Sequence, residues 1–520
     1  MAIQPDANAN YYKAVNFLTK TKTIVIMAIR IATPGVYIQE KNAFGNSIVA
    51  SPTAIPAFVG YTEKADKNGK PLQNVPTVID SLDAFEKLYG RAWVPTYAIQ
   101  ETSNSESDIK VGDKKYELST GEDRYFLYDS LRLFFTNGGG KAYIVSVGVY
   151  GEEIDSDKII RGIRTLKTST EPTLLAIPDA VALAAQACAG VQQEMLQHCE
   201  GDDNRFAVLD VQDGISARTY DEEDAIDNFR NNVGKVGLKH GAAYYPWVNA
   251  TVVSDKEFSY VHFDSIEQLV QILTDEAELM YDNDRKKQEA VTEIQALLEA
   301  DGYSADLHQT LKSISPTYKA LMIALANKLN VLPPSGAIVG AYARVDAVQG
   351  VWKAPANEGL AGVASPYVSL TNEDQEDLNL TVGGKSVNAI RSFAGEGTVI
   401  WGARTLDGNS QDWRYINVRR TMSFIEDSVK GSVKSYVFEP NTPMTWIAVK
   451  GSIDAFLTTL WNQGALVGTS QSDAFVVDVG LGSTMTQTDI LDGMMKVSVK
   501  VAISRPAEFI VLTFQQQLQS

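Results

Sequence analysis

"TLLAIPDA" (173–180), "AQACAGVQQEMLQHCE" (185–200) and "RFAVLDV" (205–211) follow one another in the chain. A short apolar run, a helix-length stretch and a second apolar run read as strand, helix and strand, the signature of a parallel βαβ unit. The pattern extends both ways. Upstream, "DRYFLYDSLRLFFTNGGG" (123–140) is an apolar helix ended by glycines, and "AYIVSVGV" (142–149) is a buried strand. Downstream, the helix "AIDNFRNNVGKVG" (225–237) leads to the strand "AAYYPWVNA" (242–250). The fold class expected is α/β within a mixed α+β, multidomain chain.

Local signals place the remaining elements. "SLDAFEKLYG" (81–90) is a short helix with Ser81 as N-cap and Gly90 as its stop. Residues 100–123 are polar and read as a loop. Residues 251–310 are helical in pattern and carry 14 Asp/Glu against 4 Lys/Arg. Such a run reads as a solvated outer helical insertion rather than an acidic binding site. "PTYKALMIALANKL" (316–329) is an apolar helix, and "LPPSG" (332–336) breaks the pattern. From 335 onward, Gly-rich strands mix with two long helical patterns at about 415–435 and 443–464.

Composition bounds the function. The chain has 520 residues and a formal charge of −18. That balance disfavours nonspecific nucleic-acid or anionic-membrane binding, both of which need clustered Lys and Arg. Two cysteines, Cys188 and Cys199, fit no disulfide framework or CxxC pattern. With four scattered histidines, no metal site is expected. The apolar run "IVIMAI" (24–29) is far too short to span a membrane. Met27 opens "MAIRIATPGVYIQE" like a natural start, so 1–26 reads as an extension or an over-extended start.

A βαβ series invites a nucleotide, yet the phosphate loops fail. "GGKS" (383–386) has Asn379 where a Walker A loop needs glycine, and "NGGGKA" (137–142) has Phe135 there. "GLGSTM" (480–485) has Met485 at the third glycine of a dinucleotide loop. No nucleophile elbow or H-E-x-x-H occurs. No catalytic, cofactor-binding or metal-ligating residue is assigned.

The end of the chain, "RPAEFIVLTF" (505–514), raises a different question. Its near-continuous apolarity says that both faces of a strand are covered. The strand either belongs to its own core or adds to a sheet of another subunit. A second short strand, "GVYIQE" (35–40), stands near the other terminus behind Pro34. Two isolated strands at opposite ends suggest exchange between neighbours. The candidate inter-subunit residues are Val36, Tyr37, Ile38, Phe509, Ile510, Val511, Leu512 and Phe514.

Five strings in order carry a resemblance: "ATPGVYIQE" with "SPTAIPAFVGYTEKA"; "LPPSGAIVGAYARVDAVQGVWKAPAN" (332–357); "VNAIRSFAGEGTVIWGARTL" (387–406); "WRYINVRRTMSFIEDSV" (413–429); and "RPAEFIVLTF". The chain resembles contractile tail sheath proteins over roughly 31–90 and 332–520. In its opening it looks closer to sheaths of extracellular contractile injection systems than to those of many long-tailed phages. The resemblance implies a structural, non-enzymatic subunit without a cofactor. Such subunits polymerise as stacked six-membered rings around an inner tube, exchange arms with neighbours, and contract when a baseplate signals. The implied partners are further copies of the chain, the tube protein, baseplate and terminal cap proteins, and a second sheath paralogue. No nucleic acid and no membrane insertion are implied. Assembly is expected in a bacterial cytoplasm, ending in a phage tail or a released particle. An α/β enzyme with an unrecognised site is the alternative.

With that frame the expected organisation is an extension (1–26), an N-terminal arm (27–50), an N-terminal part of the sheath core with a loop (51–123), an α/β domain (124–250), an acidic helical insertion (251–332), a C-terminal sheath core (333–506) and a C-terminal arm strand (507–520). The helix "TPMTWIAVKGSIDAFLTTLWNQG" (442–464) is the candidate for the tube-facing surface, through Lys450 and Asp454. Exposed charge pairs suit a contact that must break on contraction.

Overall fold

The computed structural model describes residues 48–509 and 511, apart from 105–106, 122, 203 and 381–382. Nine strands form its central sheet: β1 (Pro56–Thr62), β2 (Thr77–Ile79), β3 (Ala142–Val149), β4 (Leu174–Ala176), β5 (Phe206–Asp210), β6 (Gly241–Tyr245), β7 (Glu358–Gly359), β8 (Val387–Phe393) and β9 (Gly397–Trp401). Their spatial order is β7-β9-β8-β6-β5-β4-β1-β3-β2. The six strands from β8 to β3 pair in parallel. β9, β7 and β2 close the edges antiparallel. The longer helices, in chain order, are α1 (Leu82–Tyr89), α2 (Leu127–Thr136), α3 (Ser156–Thr165), α4 (Ala185–Gly201), α5 (Ala225–Asn232), α6 (Ile266–Met280), α7 (Asp284–Gln295), α8 (Ala305–Ile314), α9 (Pro316–Leu329), α10 (Ser335–Val348), α11 (Asn372–Asn379), α12 (Ile416–Val433) and α13 (Pro443–Asn462).

The βαβ expectation holds up to Tyr245, where the last expected strand stops. Val248–Ala250, expected as its continuation, instead pairs antiparallel with Val331–Leu332 and Val363–Pro366 in a separate three-stranded sheet, and the central sheet takes in strands from outside the βαβ span. β1 comes from residues 56–62 and lies between β4 and β3, while β8 and β9 come from 387–401. Both faces are covered, which is why these strands read as continuous apolar runs. Ala57, Val59 and Tyr61 of β1 join a core with Ile159 and Ile163 of α3, Val191 and Met195 of α4, and Ile226 and Phe229 of α5. Phe58 joins the opposite core with Leu131 and Phe134 of α2 and Ile338 and Tyr342 of α10. The segment "SGAIVGAYARVDAV" is the helix α10, where Gly-rich strands were expected. Its glycines serve helix contact. A Cβ on Gly336 would stand 2.2 Å from the Ser130 carbonyl oxygen, and one on Gly340 would stand 2.5 Å from that of Phe134.

The carboxyl ends of parallel strands are where ligands of open α/β sheets usually bind. Here two buried carboxylates hold backbone there instead. Asp179, just after β4, accepts the N–H groups of Tyr61 (2.7 Å), Phe126 (2.6 Å) and Leu127 (3.0 Å), tying β1 to the start of α2. Asp210, the last residue of β5, accepts the Ser335 N–H at 2.7 Å and so caps α10. Burial pushes the Asp179 carboxyl up to about 6 and the Asp210 carboxyl up to about 7.

Strands occupy much of the stretch 100–123 that reads as a loop. They form a three-stranded antiparallel sheet of Ala98–Thr102, Lys114–Ser119 and Ile109–Val111. Ile109, Val111, Tyr116 and Leu118 bury one face against α6, α7 and α9, in a core separate from that of the central sheet. The intervening charged residues conceal this alternation from any reading by composition. A fourth core joins α12 and α13 to a two-stranded sheet of β10 (Phe475–Val479) and β11 (Val497–Val501). Among the described residues no helix is long and apolar enough to cross a membrane.

Candidate assembly surface

The C-terminal unit is built on α12, and both ends of the described chain meet it. Ile48 is buried in its core with Val418, Phe424 and Ile425. The Ser51 N–H donates to Ser428 Oγ (3.0 Å) near the end of α12, and Arg420 donates to the Thr53 carbonyl (3.0 Å). Asn417, at the start of the same helix, donates through Nδ2 to the carbonyls of Trp352 (2.8 Å) and Ser504 (2.9 Å). Arg420 also forms a buried pair with Asp346 of α10 at 2.6 Å, which fixes α12 to the central body.

After β11 the chain is held step by step. Ala502 N–H donates to Ala474 O (2.9 Å) and Ser504 N–H to Ala465 O (3.0 Å). Arg505, Pro506 and Ala507 then run partly exposed. Glu508 turns back inward. Its carboxylate accepts a two-pronged donation from Arg404, Nε at 2.9 Å and Nη2 at 2.6 Å, plus Asn379 Nδ2 at 2.9 Å and the Tyr415 hydroxyl at 3.3 Å. The Arg404 side chain is 3% exposed and that of Glu508 17%. Burial works to raise the Glu508 carboxyl, but hydrogen bonds from Arg404 and Asn379 outweigh it and hold it below the usual carboxylate range. Beside this root opens a cleft of about 660 Å³ lined by Trp352, Asn357, Trp401 and Phe509.

Beyond Glu508 the two described residues of the apolar run face solvent. Phe509 is 67% exposed and Val511 is 88% exposed. Ile510, Leu512 and Phe514 lie outside the described residues, as do Val36, Tyr37 and Ile38. On α13, Trp446, Phe456, Leu457 and Leu460 are buried, as their spacing suggests. Lys450 and Asp454 lie one turn apart with their charged atoms 3.8 Å apart, and Lys450 also donates to the Val477 carbonyl of β10. Burial raises the Asp454 carboxyl against the pull of Lys450. Near the start of α13, Met444 and Ile447 are exposed.

The glycine–lysine loops serve as turns. Lys385 donates to the Arg230 carbonyl, and Lys141 pairs with Glu171. Among the described residues no three His, Cys, Asp or Glu side chains converge as a metal site. The residues that sequence reasoning missed are Arg404, Asn379, Tyr415 and Glu508. Arg404 and Glu508 stand 104 positions apart, and nothing local marks them as partners.

Residues 154–406 match the family model described as the phage tail sheath protein central domain, and residues 409–517 match the phage tail sheath C-terminal domain. The two together cover more than half of the chain. A tail sheath protein of Vibrio phage KVP40 is 31% identical over 138 residues, 26% of this chain and 20% of that protein. A putative prophage major tail sheath protein of Pseudomonas aeruginosa is 29% identical over 144 residues, 27% of this chain and 36% of that protein. The alignments therefore span about a fifth to a third of these relatives' own lengths. Among solved structures, the chain is 27% identical to a sheath chain of an extracellular contractile injection system, PVC, in the contracted state. That match has a TM-score of 0.59 over 94% of this chain and 98% of the other. A chain from the contracted baseplate structure of the anti-feeding prophage is 25% identical, with a TM-score of 0.63 over 94% of this chain and all of the other. The chain belongs to the phage tail sheath family.

Proposed function

We propose that this chain is the structural subunit of a contractile sheath, stacked as six-membered rings around an inner tube and driving that tube through a target envelope when it shortens. The observation that carries the reading is the start of the C-terminal run: an apolar strand sequence leaves a buried anchor at Glu508 and projects Phe509 and Val511 into solvent. Exposed apolar residues at the start of such a run, in a family of polymerising proteins, call for a neighbour's sheet to cover them. Head-to-tail exchange of that kind does not close and generates an open helical array. Both ends of the described chain meeting on α12 support a subunit that gives two arms from one unit, with Val36, Tyr37 and Ile38 in the N-terminal one.

The acidic segment at 251–310 belongs on the outer wall, where salt screens its charge of −10. The tube contact is assigned to α13 through Lys450 and Asp454. The matched family is structural, which supports a non-enzymatic role. Matching chains occur in structures of the anti-feeding prophage baseplate, which supports a baseplate as partner here. Assembly in a bacterial cytoplasm and release in a phage tail or extracellular particle follow from the same reading. Negative-stain microscopy of the expressed protein tests it: hollow cylinders or stacked rings are expected, and compact particles at every concentration would overturn it.

A further inference from the structure

The region between β11 and the exposed run poses a mechanical question. The last backbone-held residue before the run is Ser504. Glu508 stands four positions further on, and one of the three residues between, Pro506, has no N–H to donate. An extended chain of four residues spans up to ~14 Å. Strands in a sheet are about 4.8 Å apart. If Ser504 were the only fixed point, residue 509 could wander by several strand spacings, and neither direction nor register of an added strand would be set.

The Arg404–Glu508 pair removes that freedom. The guanidinium meets the carboxylate through two nitrogens, which fixes orientation as well as distance. Arg404 is itself held: its backbone N–H donates to Asn388 Oδ1 (2.8 Å), its carbonyl accepts Asn388 Nδ2 (2.8 Å), and Nη1 reaches the Asn379 carbonyl (3.1 Å). Asn388 lies in β8, so the clamp ties the start of the run to the central sheet rather than to the small sheet of β10 and β11.

We propose that Arg404 and Glu508 are positioning residues for assembly: their ion pair is the pin that sets the departure direction of the C-terminal arm and carries a neighbour's pull into the central sheet. This rests on the arm reading above. It also moves the functional start of the arm from 507 to 509, because a cut at 507 removes the pin along with the strand and leaves Arg404 a buried, unpaired cation.

The test uses the purified full chain and four variants: removal of 509–520, Glu508→Gln, Arg404→Lys, and the double change Arg404→Met/Glu508→Met, which leaves no orphan charge. Melting of the unassembled protein and the critical concentration for pelletable sheath are both measured. Removal of 509–520 is expected to abolish assembly. The double change is expected to raise the critical concentration tenfold or more while the melting temperature stays within a few degrees of wild type. Arg404→Lys, which keeps the charge but not the two-pronged contact, should fall between. If Glu508→Gln fails to fold, the double variant decides. Normal assembly without 509–520 overturns the arm reading itself. Loss of assembly on truncation, with the double variant within twofold of wild type, overturns only the pin.

Discussion

Two apolar runs, "PAFVGYT" at 56–62 and "EFIVLTF" at 508–514, look alike on the page, and their described apolar residues sit in opposite surroundings. The first is β1, buried at all seven positions between β4 and β3. The second leaves a buried anchor and shows Phe509 and Val511 to solvent. Apolar continuity along a strand says that both faces want cover. It does not say whose atoms supply it. In β1 the cover is α3 and α4 on one side and α2 and α10 on the other. At the C-terminus the described chain leaves Phe509 and Val511 mostly uncovered, and a second copy is the proposed source of the rest.

A matched pair of substitutions breaks this contrast most sharply. Val59→Asp buries an unpaired charge in the sheet centre and is expected to cost more than about 4 kcal/mol, so that soluble, cooperatively melting protein is lost. Val511→Asp should change monomer stability by no more than about 0.5 kcal/mol and yet stop sheath growth. Equal effects on melting would erase the distinction.

The next effect is smaller and tests the cover over Phe58. Gly340→Ala places a methyl 2.5 Å from the Phe134 carbonyl oxygen, forcing α10 and α2 apart. Overpacking of this kind costs roughly 1–3 kcal/mol. Chemical denaturation should show it as a lower midpoint with an unchanged slope.

The buried carboxylates under the same layer give a pH signature. Burial raises Asp210 to about 7, so the folded protein holds a proton there that the unfolded chain releases at ordinary carboxylate pH. Stability from this group is full below the unfolded value and is lost as pH rises through 7. Asp179 acts in the same sense near 6. His198, lowered to about 4 by burial and by Arg205, acts in the opposite sense as pH falls below its ordinary value. The useful readout is therefore a difference: Asp210→Asn should gain on wild type between pH 5 and pH 8, by roughly 2–4 °C in melting temperature. A constant gap across that range would contradict it.

The smallest expected effect on folding concerns the tube contact. Lys450 and Asp454 form a half-exposed pair one turn apart, worth up to about 1 kcal/mol. Exchanging the two charges should leave melting and sheath polymerisation intact and loosen co-purified tube. Unchanged tube retention at low and high salt would move the contact to another element.

The parallel sheet was legible because βαβ units write period and length into local sequence. The helix at 82–89 was legible down to its cap, since Ser81 accepts from the Ala84 N–H and Gly90 adopts a left-handed φ of 84°. The hairpins at 98–119 were not, because their buried residues alternate with charges. The helix α10 was read as strand because Gly336 and Gly340 suggest strands and turns, while what they serve is contact with α2. The recruitment of β1, β8 and β9 into one sheet depends on tertiary contact alone, as does the clamp between Arg404 and Glu508. The terminal run reads as a strand needing cover, and Ile510 with 512–514 lies outside the described residues; the family resemblance rests on strings long enough to be specific.

Amide hydrogen exchange read by mass spectrometry, on unassembled protein and on assembled sheath, tests the central contrast directly. Peptides covering 56–62 should be protected in both states. Peptides covering 509–520 should exchange within seconds in the unassembled chain and at least a hundredfold more slowly in the sheath. Protection of 509–520 before assembly, or its continued fast exchange afterwards, would contradict a C-terminal strand whose cover comes from a neighbour.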